Sequence, residues 1–476
     1  MNFGIDFGTT NSACMAIQER RRSVKYTDGY GNPFPSLVIV DRVTGKVHRG
    51  REAWKNREEL SDSCEVIPSV KTYLGTNKTW KIKGKEWTPE MVAAEVFRGL
   101  KEQVSKKGAV DRLEEAVVAV PVGFPTGKRV ALRRAAQIAG ISIQSFVSEP
   151  TAALFCHYGE IGMYPTIGVL DWGGGTLDIA IIENRKGRIR ELSTSGLNLG
   201  GDNIDRKLAE WAHDRVVKEK GGGISFAQMP SGARDRLIAS CEQAKKDLTN
   251  DDQTEIRIWR YGDFGEINIV IDIEMFSSLI APDIAQVISC FEESVSRARL
   301  SFEELGCILM VGGSVNLRPF SNAVASRWKG KVFYPGDSDW SVARGAANLS
   351  LQPGNYVLAQ DVSVRMSDGS LFPLVSQGDH VTFGNTTTYT FALVEDSSTA
   401  NFVICDENGR NIGYLNVPSF GFFREKIPLI VAIDNNMIFQ VTARSQERAE
   451  ITRQGWRFAG LRLDYQLPVV DLEVTE

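Results

Sequence analysis

Two short segments carry the residue types that grip a polyphosphate. The first, Phe3-Gly4-Ile5-Asp6-Phe7-Gly8-Thr9-Thr10-Asn11, begins almost at the first residue, and the second is Gly168-Val169-Leu170-Asp171-Trp172-Gly173-Gly174-Gly175-Thr176-Leu177-Asp178. Each reads as an apolar strand closing on an Asp, then a glycine turn, a threonine and a second apolar run. Glycine lets backbone N–H groups approach an anion that a Cβ would hold off. The threonine hydroxyls add donors, and Asp6 and Asp171 at the strand ends suit a hydrated divalent cation, which takes oxygen ligands. One such hairpin is an ordinary turn. Two of them predict a pair of jaws facing each other across a cleft, closing on the phosphate tail of a nucleotide. The glycine loop of the Walker type, Gly-x-x-x-x-Gly-Lys-[Ser/Thr], is absent.

Jaws of this kind need rigid strands behind them. Up to about Leu351 strand-like runs alternate with helical patterns, an α/β signature. Ala116-Val117-Val118-Ala119-Val120 reads as a buried strand that runs through Pro121 into a helix. That helix is predicted from about Thr126, a candidate N-cap, to Gly140, a candidate C′ residue. Helical periodicity recurs at 89–107, 203–218, 231–249 and 276–299. Ile308-Leu309-Met310-Val311 is another buried strand, broken by Gly312-Gly313. The repeated turn implies two similar lobes made by internal duplication. After Gln352-Pro353-Gly354 the texture changes to short strands at 381–383, 389–394, 402–405, 429–433, 438–443 and 461–467. Glu407-Asn408-Gly409 and Asp434-Asn435-Asn436 supply hairpin turns. The expected division is a nucleotide-binding domain over 1–353, a linker over 354–361 containing Tyr356-Val357-Leu358-Ala359, and a small all-β sandwich over 362–476.

At 476 residues the chain exceeds what one core serves. Lys+Arg 55 against Asp+Glu 59 leaves a net charge of −4, which removes the electrostatic case for nucleic acid as a partner. No stretch approaches the roughly 18–20 apolar residues of a membrane span, and no basic n-region precedes an apolar run, so no membrane partner is expected. Seven cysteines, odd in number and without a Cys-x-x-Cys, fit a reduced, cytoplasmic setting. His48, His157, His213 and His380 form neither a triad nor a metal spacing.

Several segments together resemble the DnaK-type (seventy-kilodalton) heat-shock chaperones: residues 6–11 and 171–178, Ser148-Glu149-Pro150-Thr151-Ala152-Ala153, Leu199-Gly200-Gly201-Asp202-Asn203-Ile204-Asp205, Cys241-Glu242-Gln243-Ala244-Lys245-Lys246-Asp247-Leu248 and Val311-Gly312-Gly313-Ser314. They fall in the family's order over nearly all of the first 350 residues. The resemblance implies the actin-like two-lobed ATPase fold, a duplicated ribonuclease H-like architecture, with ATP or ADP between the lobes together with Mg²⁺ and K⁺. By that resemblance Gly8, Thr9, Thr10, Asn11, Gly174, Gly175 and Thr176 cradle the phosphates, and Asp6 and Asp171 order the waters around Mg²⁺. Lys71 matches the lysine near the γ-phosphate, while Glu149 and Asp178 match carboxylates near the attacking water, as phosphoryl transfer requires. Gly200, Gly201, Glu242, Lys245, Thr249, Gly312, Gly313, Ser314 and Asp339 match nucleotide-binding positions. Two arginines that sandwich the adenine in the family are here Lys246 and Asn316. Neither reproduces a stacked guanidinium, so weaker adenine affinity or faster exchange is expected.

The resemblance also assigns Pro121 and Arg129 to a relay of nucleotide state between domains, with Asp361 as the acidic residue of the linker. Leu358-Ala359-Gln360 stands where the family has an all-leucine run, and Ser145 stands where the family has a basic residue that receives a J-domain co-chaperone. Phe383 and Phe391 are candidates for a peptide groove or for the core of the sandwich. The chain stops about where the family adds a helical lid, so rapid release of clients is expected. The reading is a chaperone that hydrolyses Mg·ATP slowly and binds unfolded or extended polypeptide, with a J-domain protein and a nucleotide exchange factor as further partners. Its rivals are a nucleotide-dependent regulator or scaffold whose β domain binds one dedicated folded partner and, less favoured, a small-molecule kinase.

Overall fold

A computed structural model describes residues 2–18, 22–60, 63–107, 112–185, 187–222, 224–351, 355–446 and 454–467. The change of texture read at Gln352-Pro353-Gly354 and the end of the proposed sandwich, 468–476, lie outside the described residues. The chain divides into two compact units, Met1–Glu183 with Glu191–Leu351, and Asn184–Arg190 with Gln352–Glu476.

The first unit is mixed α/β and holds two sheets of the same design. In one, the strand Asn2–Asp6 has Glu115–Val120 and then Ser142–Ser148 on its parallel side, and Asn11–Ile17 and Ser23–Tyr26 on its antiparallel side. In the other, Thr166–Trp172 has Cys307–Val311 and Val332–Phe333 on its parallel side, and Leu177–Arg185 and Arg188–Leu197 follow on the other. Each central strand is therefore flanked on both edges, and it reads as a continuous apolar run because both of its faces are covered. Each central strand also carries an aspartate at its C-terminal end, Asp6 as the last residue of one and Asp171 as the last but one of the other.

Helices cover these sheets. Ser338–Leu349 packs on the first sheet so closely that a Cβ on Gly4 would lie 2.0 Å from the Ala347 nitrogen. The same helix meets Glu149–Cys156 backbone to backbone, since a Cβ on Gly345 would lie 1.7 Å from the Ala152 carbonyl oxygen. The helix expected at 203–218 runs longer, Gly201–Lys220; that expected at 231–249 stops earlier, Ser231–Asp247; and that expected at 276–299 begins and ends earlier, Ile273–Arg297. Thr126 is the first helical residue and not the cap. Pro125 occupies the N-cap position without a side-chain bond, and Gly140, at φ +72°, follows the C-cap Ala139. Ile273–Arg297 is long and apolar enough to cross a membrane by length and composition, which corrects the expectation that no stretch approaches that length. Its stripe of Phe276, Ile280, Ile284, Val287, Phe291 and Val295 is buried in the same core as Leu170, Trp172 and Trp328.

The second unit contains two four-stranded antiparallel sheets. One has the order Leu371–Val375, Val362–Arg365, Thr399–Asp406, Asn411–Pro418; the other runs Thr386–Ala392, Lys426–Ile433, Phe439–Ala443, Gln454–Phe458. The hairpin turns at 407–409 and 434–436 are where the sequence places them, with Gly409 and Met437 at positive φ. Residues 381–383 are not a strand, contrary to the sequence expectation. The strands 362–365, 371–375 and 454–458 have short or largely exposed patterns that escape an alternation test. Tyr356–Leu358, read as part of a linker, is a buried strand paired with Leu463–Gln466, which also pairs with Arg188 and Ile189. There Asp464, 1% exposed, accepts from Arg188 Nε at 2.9 Å and from Arg190 Nη2 at 3.1 Å.

The tight crossing of Ser338–Leu349 over Glu149–Cys156 has a direct consequence. Gly345→Ala is expected to destabilise the first unit by about 1–3 kcal/mol, because backbone must move to admit the methyl group. A lowered urea midpoint with an unchanged slope checks this; an unchanged midpoint contradicts it.

Candidate functional site

The two glycine turns end the two central strands. Across the antiparallel hairpins Asp6 faces Ala13, and Asp171 lies directly opposite Asp178. Like charges opposite each other weaken a ladder, so this pair is costly for folding and marks the strand ends as a place where something other than stability is served.

The turns were expected to face each other across a cleft, and the structure brings them into contact. A Cβ on Gly174 would lie 2.0 Å from Thr10 Oγ1, and one on Gly175 would lie 2.6 Å from Thr9 Cγ2. Only the missing side chains of one turn let the threonines of the other nest there. Gly200 and Gly201 close in from another side: the N–H of Gly201 donates to the Gly173 carbonyl at 3.1 Å, and that of Asp202 to Gly174 at 2.7 Å. Ser314 Oγ donates to the Gly173 carbonyl at 2.9 Å. Gly312, at φ +84°, passes so near Trp172 that a Cβ would lie 2.5 Å from its carbonyl oxygen. Gly8 turns tightly enough that a Cβ would lie 1.9 Å from the oxygen of Asn11, which is itself exposed. Residues from four separate segments thus form one glycine-lined nest.

Beside it lies a buried charge cluster. Lys71 sits in the short turn Val70–Tyr73, entered through Ser69 at φ +54°. Its Nζ is 2.7 Å from Glu149 Oε1, and each side chain is 7% exposed. Glu149 is the first residue of the helix Glu149–Cys156, whose N-cap Ser148 accepts from the Thr151 N–H. Burial lowers the Lys71 pKa, but Glu149 and Asp6 outweigh it and the lysine is held above its usual value. Burial, then the Glu149 charge, pushes Asp6 up to about 7 against the pull of Lys71. The same two causes bring Asp178 to about 7, and the Thr176 hydroxyl and the Val122 N–H donate to it. Asp171 is raised well above the carboxylate range, again by burial first and then by Glu149. Three aspartates and a glutamate thus surround one lysine. Among the described residues no group of three or more His, Cys, Asp or Glu is placed as a direct ligand shell.

The remaining candidates flank the nest. Lys245 turns inward, with Nζ 2.8 Å from Asp205 and 3.3 Å from the Gly201 carbonyl. Burial lifts Asp205 to about 6 in spite of that lysine. Lys246 points outward and pairs with Glu242 at 2.6 Å. Burial alone would raise Glu242, but the two lysines hold it below its usual value. Thr249 lies in the turn closing that helix, its N–H on the Lys246 carbonyl. Gly313 and Asn316 bound the short turn after Cys307–Val311, and Asp339 lies near Gly313 with its carboxyl raised by burial. Pro121 ends its strand, and Arg129 donates to the Phe124 carbonyl at 3.0 Å and to Thr126 Oγ1 at 3.2 Å. Asp361 lies in the second unit, where it accepts from the Gln377 N–H.

Asp202, which the sequence marks only as a member of the segment 199–205, takes a place of its own in the site. It accepts from the Thr10 hydroxyl at 3.0 Å and from Ser69 Oγ at 3.4 Å, joining both glycine turns to the segment that carries Lys71. Its position just inside a helix that opens on Gly-Gly is the sequence signal that marks it.

The chain matches the family described as Hsp70 protein over residues 46–363. It is 28% identical over 475 residues to a protein named Chaperone protein DnaK from Mycoplasma mobile, an alignment covering 94% of this chain and 77% of that protein. Members of that family are ATPases with a two-lobed, actin-like nucleotide-binding fold, and they work with ATP or ADP and Mg²⁺. With two-thirds of its length matched, this chain belongs to the Hsp70 family of DnaK-type chaperones.

Proposed function

We propose that the chain binds Mg·ATP in the glycine nest, hydrolyses it with water and uses the cycle to change how its β domain holds extended apolar polypeptide. The observation that carries this reading is the buried Lys71–Glu149 pair set beside Asp6, Asp171 and Asp178 at the meeting point of the two turns. In this reading residues 1–353 form the ATPase domain, 354–361 the linker and 362–476 the partner-binding β domain.

The residues fit a nucleotide with a divalent cation. The nest is one that a Cβ at Gly174 or Gly175 would fill, and the carboxylates outnumber the one lysine among them. Asp6 and Asp171 would hold Mg²⁺ through its water shell, and the cation would neutralise charge on the phosphate oxygens. The N–H groups and hydroxyls of Thr9, Thr10 and Thr176 orient the phosphates. Lys71 places positive charge at the terminal phosphate, while Glu149 and Asp178 orient the attacking water and accept its proton. The Lys246–Glu242 pair occupies the lysine's charge at the adenosine end, which favours rapid exchange of the base.

Polypeptide binding rests on a preorganised aromatic loop in the second unit. Glu425, itself buried, accepts from the Phe420 and Gly421 N–H groups and from Ser445 Oγ, and the Phe423 N–H donates to Asp396 at 2.7 Å. The loop holds Phe420, Phe422 and Phe423 outward around an open pocket of about 410 Å³. Exposed apolar clusters on a rigid frame are a common mark of recognition. Phe391 instead packs against Phe372 and Phe402, and Phe383 against Tyr356.

Three measurements test this reading. In single-turnover assays Lys71→Met and Glu149→Gln should each slow phosphate release by about 100-fold or more while MgATP still binds; wild-type rates would refute the assignment. Asp6 and Asp178 hold their protons more tightly in the fold than in the unfolded chain, so their contribution to stability is full below about pH 4 and lost as pH rises to about 7. Without nucleotide, Asp6→Asn should therefore melt higher than wild type at pH 8, with the gain disappearing near pH 4; a lower melting temperature at pH 8 contradicts it. Phe422→Ser combined with Phe423→Ser should weaken binding of an extended apolar peptide about tenfold or more, read by fluorescence anisotropy.

A further inference from the structure

Glu149 and Asp178 come from different parts of the first unit. Glu149 opens a helix that packs on Ser338–Leu349, whereas Asp178 lies on a strand of the second sheet. Any chemistry that uses both requires the helix to be held in register with that sheet. A hydrogen-bonded tie of this kind is made by one side chain among the described residues, Glu191. Glu191, on the strand Arg188–Leu197 next to the strand of Asp178, reaches the first turn of the helix. Its Oε1 accepts from the hydroxyl of Thr151 at 2.9 Å and from that of Ser148, the N-cap residue immediately before Glu149. Ser148 Oγ also accepts from the Thr151 N–H at 3.2 Å, so a single carboxylate oxygen organises the whole capping turn. A carboxylate accepting two hydroxyl bonds makes charge-assisted contacts, and its position at a helix N-terminus is favoured by the helix dipole.

We propose that Glu191 is a positioning residue for hydrolysis: through Ser148 and Thr151 it sets the helix that carries Glu149 against the sheet that carries Asp178. The inference rests on the reading of Glu149 as a hydrolytic carboxylate. Glu191 does not reach the nest itself. It acts by limiting how far Glu149 can drift from Lys71 and Asp178, and displacement of a reacting group by about 1 Å is enough to cost on the order of 100-fold in rate. The contact needs an acceptor oxygen at this place and no charge, because both partners are hydroxyl donors.

The test compares wild type, Glu191→Gln, Glu191→Ala and Glu149→Gln as full chains, measuring the MgATP dissociation constant and single-turnover phosphate release. Glu191→Ala should slow release at least about tenfold while the MgATP dissociation constant stays within about twofold. Glu191→Gln, whose amide oxygen still accepts from both hydroxyls, should recover to within about threefold of wild type. Thr151→Val removes one of the two bonds and should fall between them, which keeps the test usable if the alanine variant does not fold. The inference is overturned if Glu191→Ala releases phosphate at the wild-type rate while Glu149→Gln is slow, or if the glutamine and alanine variants are equally slow. Wild-type release by Glu149→Gln would instead remove the reading on which the inference stands.

Discussion

Burying four carboxylates around one lysine is the constraint to which the rest of the first unit answers. Asp6, Asp171, Asp178 and Glu149 are held together at the ends of two central strands and one helix, and Lys71 alone among them carries a positive charge. Taking charges out of water costs several kcal/mol per ion unless they are paired and bonded. The chain meets that cost only in part. Glu149 has its lysine, Asp178 has the Thr176 hydroxyl and the Val122 N–H, and the two remaining aspartates relieve their burial by holding protons to higher pH. A cluster that holds protons for want of positive charge is well matched to a ligand that brings its own cation.

The architecture supplies the rigidity that such a cluster demands. Two sheets of one strand order each present an aspartate at the end of a central strand, and neither strand can shift because both of its edges are paired. Glycines then do the joining. Gly174 and Gly175 admit the threonines of the opposite turn, Gly4 admits the helix Ser338–Leu349, and Gly345 admits the backbone at Ala152. At each place a methyl group would separate elements that the site needs in contact. Stability and function share these residues, so their substitution is felt in both.

The second unit works by different means. Its sheets are antiparallel, its interior is apolar, and its polar bonds serve to shape loops and edges. Glu425 organises the aromatic loop from beneath, and Asp464 draws Arg188 and Arg190 onto the strand Leu463–Gln466. A buried acceptor that takes several donors fixes a backbone conformation more firmly than the short strands could alone. The exposed phenylalanines are thereby displayed in a set geometry, which limits the ordering cost of any contact they make.

Much of this was legible in the chain itself, and the division follows the range of each interaction. The glycine turns, their terminal aspartates, the long helices and the family resemblance are local patterns, because glycine freedom, helical period and strand alternation act over a few residues. The wrong strand at 381–383, the unread strands at 362–365, 371–375 and 454–458, and the misplaced cap at Thr126 show the limit of such patterns where elements are short and neighbours decide. Nothing near Asp202 in sequence announces Thr10, 192 positions away, and nothing near Glu191 announces Ser148. The residue types and their order therefore determined the family and the chemistry available. The contact between the two turns, the partner of each buried carboxylate and the tie between helix and sheet were decided only by the tertiary structure, because each depends on hydrogen bonds and close packing between segments that meet only when the whole unit has folded.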